Sequence, residues 1–345
     1  MDLTTNLSSL GFEHGLSEHE KELTFLRSRS AALTLSGCGH AAFLCRVSSL
    51  VREKLKQFMD KPQIPGLNIG ILGGGHIGKQ LAKVLLALHL FKPSNICIST
   101  KRPQTLQEFS KKGVECYFDN CRLAAWADVL FLCVLPSYLP QVCAELHSHL
   151  PAHCLVYSFT AAVPLHRLAL LLGHNFVLRP HYDFVVCDSA EIWLHHSEVS
   201  TALKDNDVLT ASCPLSMSGG LFLDQRWVPA VLYSLLNMCT SQHLGSNPAI
   251  RLLNELFQTN SSAVSFTYES FVNSSCATAL IGSGDYCYYF LICRPFPWIN
   301  LIDAQTKETP LSSFLLGSKS LQDCISRLYN KTFSAPLHGK SEIKQ

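Results

Sequence analysis

The stretch from Leu67 to Leu90, LNIGILGGGHIGKQLAKVLLALHL, constrains this chain more than any other. An apolar run, Leu67 to Leu72, leads into Gly73, Gly75 and Gly78 in G-x-G-x-x-G spacing. Apolar residues then recur at helical period, at Ile77, Leu81, Val84, Leu85 and Leu88. The pattern predicts a buried strand, a tight turn and an amphipathic helix. In such a unit the first glycine permits the turn, the second lets backbone approach a pyrophosphate, and the third lets helix pack on strand. Free N–H groups at the helix N-terminus then face an anion. Glycine triplets also occur in ordinary loops, but with a strand before and a helix after, the reading is a dinucleotide site; an unoccupied turn of the same shape is the alternative.

The segments that follow alternate. Asn95 to Ser99 reads as a second strand, Gln104 to Lys112 as a helix, and Val114 to Phe118 as a third strand. Asp128 to Val134 is a continuous apolar fourth strand of the kind buried on both faces. Helices are expected at Tyr138 to Leu150 and Pro164 to Leu172, and strands at Cys154 to Ser158 and Asn175 to Leu178. This alternation predicts an α/β fold, a Rossmann-like, doubly wound parallel sheet with its ligand crevice at the carboxyl ends of the strands. Before it, residues 1 to 30 read as polar and irregular, Ala41 to Met59 as an amphipathic helix, and Lys61 to Gly66 as a breaker. Beyond Asp183 the pattern weakens. Glu191 to His196 suggests a strand, Trp227 to Thr240 and Ala249 to Phe257 suggest helices, and Gln258 to Tyr286 is too rich in Ser, Thr, Asn and Gly for an assignment. The expected organisation is an N-terminal helical extension and linker (1–64), a nucleotide-binding domain (65–186), a divergent, partly helical C-terminal domain (187–333) and a mobile tail (334–345).

Lys and Arg number 28 against 26 for Asp and Glu in 345 residues, so no global field attracts nucleic acid or an anionic membrane, and neither partner is expected. The 15 cysteines include no C-x-x-C pair, and Cys97, Cys133 and Cys154 fall within apolar strands. Scattered, buried thiols argue for a reducing compartment rather than a disulfide framework or a zinc site. The N-x-[ST] triplets at Asn6, Asn260, Asn273 and Asn330 are then expected to be unused. The acid-rich first 30 residues do not resemble a signal peptide, and the run Tyr286 to Cys293 is far short of the ~20 residues of a spanning helix. A cytoplasmic protein is the default expectation.

The loop after the second strand refines the cofactor. NAD-binding chains carry an acid there for the ribose 2′-hydroxyl, whereas hydroxyl and basic residues suit a 2′-phosphate. No acid lies between Asn95 and Gln107, and Ser99, Thr100, Lys101 and Arg102 occupy the position, which points to NADP(H). A solvated basic loop is the competing reading.

From Leu67 to about Arg179 the chain resembles the cofactor domain of pyrroline-5-carboxylate reductases. GILGGGHIGKQLAK resembles that family's first turn, Asp128 to Pro136 (DVLFLCVLP) its D-[VI]-[LI]-F-x-A-V-K-P segment, and Val156 to Val163 (VYSFTAAV) its V-S-x-A-A-G-V segment. The resemblance implies that Gly73, Gly75, His76, Ile77 and Gly78 cradle the pyrophosphate and that Ser99 and Thr100 meet the ribose phosphate. It further implies a cofactor contact at Asn120, with Val134, Leu135 and Pro136 against the nicotinamide and Thr160, Ala161 and Ala162 at its far end. Departures fall at the chemical end: Leu135 stands where the family has lysine, Ala162 where it has glycine, and Pro180 to Phe184 replaces M-P-N-T-P. The family's helical substrate domain is not recognisable in order. Gly282 to Tyr286 and Ser218 to Gly220 echo its substrate loop and its later S-P-G-G in reversed order, which reads as coincidence. A homo-oligomer therefore stays open.

Reduction by NADPH needs an oriented hydride and a proton donor. His181 and Tyr182, beside Asp183 just past the sixth strand, are the candidate catalytic groups; a loop histidine and a packed tyrosine are the alternative. His195 and His196 lack partners at ligand spacing, so no metal is expected. The sequence thus leads to an NADP(H)-dependent oxidoreductase acting on a small, unidentified C=N or C=O compound. A catalytically silent NADP-binding regulatory or interaction protein is the other reading.

Overall fold

The computed structural model describes residues 17–59, 65–89, 91–185, 188–196, 198–257, 265–272 and 294–334. Several sequence expectations lie outside these residues: residues 61–64 of the breaker read over Lys61 to Gly66, the tail beyond 334, the triplets at Asn6, Asn260 and Asn273, the Gly282 to Tyr286 echo and the apolar run to Cys293. Cys187, Cys276, Cys287 and Cys293 lie outside them too.

Six short strands form the parallel sheet: β1 (Ile69–Leu72), β2 (Ile96–Ser99), β3 (Glu115–Tyr117), β4 (Val129–Leu132), β5 (Leu155–Ser158) and β6 (Val177–Leu178). Their order is β3-β2-β1-β4-β5-β6, with β1 pairing in parallel with β2 on one side and β4 on the other. This is a Rossmann-like sheet, and the chain reverses its direction of travel between β1 and β4. The connecting helices are α2 (His76–Ala87), α3 (Gln107–Ser110), α4 (Asn120–Trp126), α5 (Leu139–Leu146) and α6 (Leu165–Leu172). Helix α4 has no counterpart in the sequence reading; Asp119 caps it by accepting from the Arg122 amide at 2.9 Å.

Side chains alternate across the sheet as the pleat requires. Val129 and Phe131 of β4 enter a core that also holds Ile69, Ile71 and residues of α1 and α2, whereas Leu130 and Leu132 enter a second core with Leu123, Val142, Leu146 and Leu168. The first core continues into the C-terminal helices, so the sheet, the N-terminal helix and the chain's far end are packed as one body there.

The largest departure from expectation is α1, which runs 41 residues from Glu18 to Phe58 rather than starting near Ala41. Residues 18–30, read from sequence as irregular, are its first turns. Gly37 and Gly39 weaken helix propensity, which favoured a later start. The structure shows what they permit: a Cβ on Gly39 would collide with the Tyr329 hydroxyl, and one on Gly37 would stand 3.2 Å from the Phe159 ring. Helix α1 is buried from Ser36 to Cys45 between the sheet side and the C-terminal helix, and this burial outweighs local propensity.

Past the sheet, β7 (Tyr182–Phe184) pairs antiparallel with β8 (Leu221–Leu223), an element the sequence did not announce. Glu191 to His196 is not a strand; Asp188–Leu194 forms a 3-10 turn whose Trp193 indole donates to the Gly219 carbonyl at 2.8 Å. Short helices α7 (Val199–Ala202) and α8 (Asn206–Ala211) follow. Helix α9 (Trp227–Ser241) is apolar and buried on nearly every side, and α10 (Ser246–Phe257) is amphipathic. The chain closes with α11 (Leu301–Thr306), α12 (Pro310–Gly317) and α13 (Lys319–Phe333), none of them anticipated. Among the described residues no helix is long and apolar enough to cross a membrane.

One ion pair ties α1 to the sheet. Arg52 donates from Nη1 and Nη2 to Asp128 Oδ2 and Oδ1 at 2.5 and 2.8 Å, and the Asn68 amide donates to the same carboxylate at 2.8 Å. The two side chains are 17% and 11% exposed, so water replaces the pair only in part. Arg52→Ala leaves Asp128 with only the Asn68 amide and, 3.8 Å away, His153, and is expected to lower unfolding stability by about 3 kcal/mol. Urea denaturation of the variant against the parent chain measures this.

Candidate functional site

The carboxyl ends of β1, β2 and β4 are held level by backbone bonds: Gly73 N donates to Ser99 O at 2.9 Å and Cys133 N to Leu72 O at 2.8 Å. Above them lies a cavity of about 360 Å³. Its wall combines Gly73, Gly74 and Gly75 from the first turn, Ser99 to Arg102 after β2, Asn120 at the start of α4, and Cys133, Val134 and Leu135 after β4.

The motif glycines answer to different constraints. Gly73 has φ +109°, a conformation L side chains rarely adopt, and a Cβ there would press on the Cys133 carbonyl at 2.7 Å. A Cβ on Gly78 would strike the Gly73 carbonyl, so this glycine lets α2 sit on the turn. At Gly75 a Cβ would meet nothing within 4 Å, and its backbone is extended. Gly75 precedes α2 with no side-chain cap and no acid in the helix's first turn, leaving the leading N–H groups for a ligand or water. His76 is exposed, Ile77 half-buried and Gly78 buried; all three belong to the start of α2 rather than to the cavity wall.

The basic loop is at the other end of the cavity. Lys101 and Arg102 are exposed, and neither forms an ion pair among the described residues. Lys101 instead places its Nζ 4.5 Å from the centre of the Tyr138 ring, reaching toward the helix on the opposite wall. Ser99 is buried. Its hydroxyl donates to Asn120 Oδ1 at 2.8 Å and accepts from the Asp119 amide at 3.2 Å, while Asn120 Nδ2 donates to Glu145 Oε2 at 2.7 Å. Ser99 and Asn120 are therefore held by each other and by Glu145.

Sequence reasoning missed Phe118 and the face of α5 that completes the wall, Gln141, Val142 and Glu145, with Tyr138 just ahead of it. Positions 138, 141, 142 and 145 share a helix face, so the signal was present as periodicity, but which face meets the crevice is settled by packing. Leu135 is 66% exposed and Pro136 begins a short 3-10 turn. Thr160 is buried and donates from Oγ1 to the Val134 carbonyl at 3.2 Å, which sets the turn of Thr160, Ala161 and Ala162 beside the β4 loop; Ala161 and Ala162 are exposed.

The candidate catalytic pair is placed apart from this cavity wall and divided. His181 is exposed, 3.6 Å from Asp183 Oδ1, and lines a different cavity. Tyr182 turns its hydroxyl inward to His40 of α1, a residue sequence reasoning did not consider for the site, at 2.7 Å from Nδ1. His40 Nε2 lies 2.8 Å from the Ser212 carbonyl, which only accepts, so Nε2 carries the proton and Nδ1 accepts from the tyrosine. Tyr329 donates to the Ser212 hydroxyl at 3.0 Å, continuing the network. Burial pushes the Tyr182 phenol well above its ordinary range, so the hydroxyl keeps its proton. His196 pairs with Asp205 at 3.2 Å, and among the described residues no group of three or more His, Cys, Asp or Glu is placed to hold a metal.

Residues 68–162 match a protein-family model described as NADP oxidoreductase coenzyme F420-dependent. NADP-dependent oxidoreductase domain-containing protein 1 of Mus musculus is 38% identical, in a match covering 96% of this chain and 94% of that protein. The chain belongs to that oxidoreductase family. Pyrroline-5-carboxylate reductase 3 of Danio rerio is 29% identical over 38% of this chain and 46% of its own length, so the likeness to the reductases spans less than half of that relative. A solved pyrroline-5-carboxylate reductase from Coxiella burnetii aligns over 77% of this chain and 97% of its own at 18% identity, with a TM-score of 0.32.

Two measurements test the local readings. Gly75→Ala is expected to leave stability within about 0.5 kcal/mol, as for a surface change, whereas Gly78→Ala is expected to cost about 2 to 3 kcal/mol through backbone displacement; chemical denaturation compares them. Burial, partly opposed by the bond to Ser212, lowers the His40 pKa from 6.5 to about 4. The unfolded chain then binds a proton that the folded chain refuses, so this contribution to stability is present above pH 6.5 and lost progressively as pH falls toward 4. Denaturation midpoints across that window should fall less steeply in His40→Asn than in the parent chain.

Proposed function

We propose that this chain binds NADP(H) in the crevice above β1, β2 and β4 and passes its hydride to a small compound with a C=N or C=O bond. The observation that carries the reading is the single cavity wall shared by the glycine turn and the unpaired cations Lys101 and Arg102. Its relatives point the same way, since NADP stands in the name of both the family model and the mouse protein.

In this reading the turn at Gly73 to Gly75 and the leading N–H groups of α2 hold the pyrophosphate, by hydrogen bonding and by the positive end of the helix dipole. Lys101 and Arg102 supply charge for the 2′-phosphate. Asn120, fixed by Ser99 and Glu145, is oriented before any ligand arrives, which lowers the entropy cost of binding. Val134, Leu135 and Pro136, with Thr160, Ala161 and Ala162, border the nicotinamide. When bound, the cofactor supplies the hydride, and the protein's part is orientation and electrostatics.

One observation favours the second reading, a nucleotide-binding protein without turnover. Leu135 presents an exposed apolar side chain where the resembling reductases carry lysine, and the Tyr182 hydroxyl beyond the sheet is committed to His40.

Fluorescence titration with NADPH and NADH, followed by a turnover screen with cyclic imines and small carbonyl compounds, separates the readings. NADPH is expected to bind more tightly than NADH, and Arg102→Asp should shift that ratio toward NADH by at least about tenfold, the scale of one charge-assisted contact. Binding of neither nucleotide to the folded chain would remove both readings. Tight NADPH binding without turnover across the screen would leave the second.

A further inference from the structure

The described residues expose twelve large apolar side chains, and these are not spread evenly. Phe118, Leu135 and Tyr138 line the nucleotide crevice. Leu23, Phe25, Leu26 and Leu33 stand together on the first turns of α1, with Leu23 and Leu26 51% and 59% exposed. The other five come from five separate segments. Single exposed apolar residues are ordinary, whereas a contiguous group marks a surface that something covers.

Helix α1 has two faces over this stretch. Ser28, Ala32 and Leu35 are buried against the body of the protein. Leu23, Leu26, Ser30 and Leu33 are exposed, and at 100° per residue they lie about half a turn round from the buried set. Their alternate spacing of three and four residues is the a/d repeat by which one helix packs along another. Arg29 fixes the segment in place: its guanidinium stands 4.2 Å from the centre of the Phe25 ring and 4.5 Å from that of Phe184 on β7. The outer face is therefore presented from a helix that is already anchored on its inner side.

We propose that this face pairs with the same face of a second copy of the chain. Charge chooses the occupant. Glu22 and Arg27 flank the stripe, both exposed and neither in an ion pair among the described residues. When two such helices pack, Glu22 of one copy comes beside an arginine of the other in either orientation: Arg27 if they run parallel, Arg29 if they run antiparallel. A stacked guanidinium keeps its edge donors, so Arg29 can serve both contacts. A patch complementary to itself is what a two-fold dimer requires. An anionic membrane is a poorer match. Glu18, Glu20 and Glu22 offset Lys21, Arg27 and Arg29, so the segment carries no net charge to draw it to such a surface. Residues 18 to 33 span about 24 Å of helix, a small contact, so the dimer is weak and depends on protein concentration. The pairing does not rest on nucleotide binding, and it is tested without nucleotide.

The experiment is sedimentation velocity of the full chain from about 1 to about 200 µM, the range in which small interfaces associate. A reversible shift from monomer to dimer is expected. Leu26→Glu sets a charge in the middle of the stripe and should weaken the dimer at least about tenfold, and Glu22→Arg should weaken it by a few fold. Because Leu26 is exposed in the single chain, Leu26→Glu should leave the melting temperature of the dilute monomer within about 2 °C of the parent. A monomer at every concentration would overturn the proposal, as would a dimer indifferent to Leu26→Glu. A fall of several degrees in the dilute Leu26→Glu monomer would overturn it too, since the chain would then be covering this face itself. So would binding of a monomeric chain to phosphatidylserine–phosphatidylcholine vesicles that Leu26→Glu abolishes, which would give the face to a lipid surface.

Discussion

The contact on which the nucleotide crevice depends is the approach of α2 to the turn before it. The Gly73 carbonyl occupies the space that a side chain on Gly78 would need, and Gly73 itself turns through a φ of +109° against the Cys133 carbonyl. With those two positions bare, α2 starts directly over β1, and the strand ends at Leu72, Ser99 and Leu132 stand level. The cavity wall follows from that alignment. Gly75, by contrast, meets no neighbour, so the packing of the chain does not require it to be bare.

A second set of close approaches builds the body around the sheet. Helix α1 passes between the sheet and α13 because Gly37 and Gly39 leave room for Phe159 and Tyr329. Two of its polar anchors differ in kind. Arg52 gives Asp128 a charged partner at the start of β4, while His40 is kept neutral by burial and ties β7 to the segment around Ser212. The Tyr182 hydroxyl is spent in that second anchor. A tyrosine beside the end of a strand resembles a proton donor when seen in sequence; here it holds an N-terminal helix to the C-terminal half.

The turn after β5 is held by two hydrogen bonds from distant parts of the chain. Val134 lines the nucleotide crevice and its carbonyl accepts from Thr160; the next residue, Ala161, accepts from Arg179. The turn of residues 160 to 162 is thus bonded from both sides. Its residues are small, and Ala161 and Ala162 face solvent, so its position is set by these two bonds more than by packing.

By itself the sequence determined the six-strand parallel fold, the glycine turn and the basic loop, because each is written in local signals: periodicity, spacing and charge within a few residues. It also located nine residues of the crevice wall: Gly73, Gly75, Ser99, Thr100, Lys101, Arg102, Asn120, Val134 and Leu135. Only the tertiary structure decided what depends on partners distant in the chain. The glycines of α1 argued against a helix until Tyr329 and Phe159 were packed against them. The inward turn of Tyr182 and the α5 face with Glu145 arise from contacts between residues far apart in sequence. No local pattern encodes those contacts, because they are chosen by the packing of the whole chain.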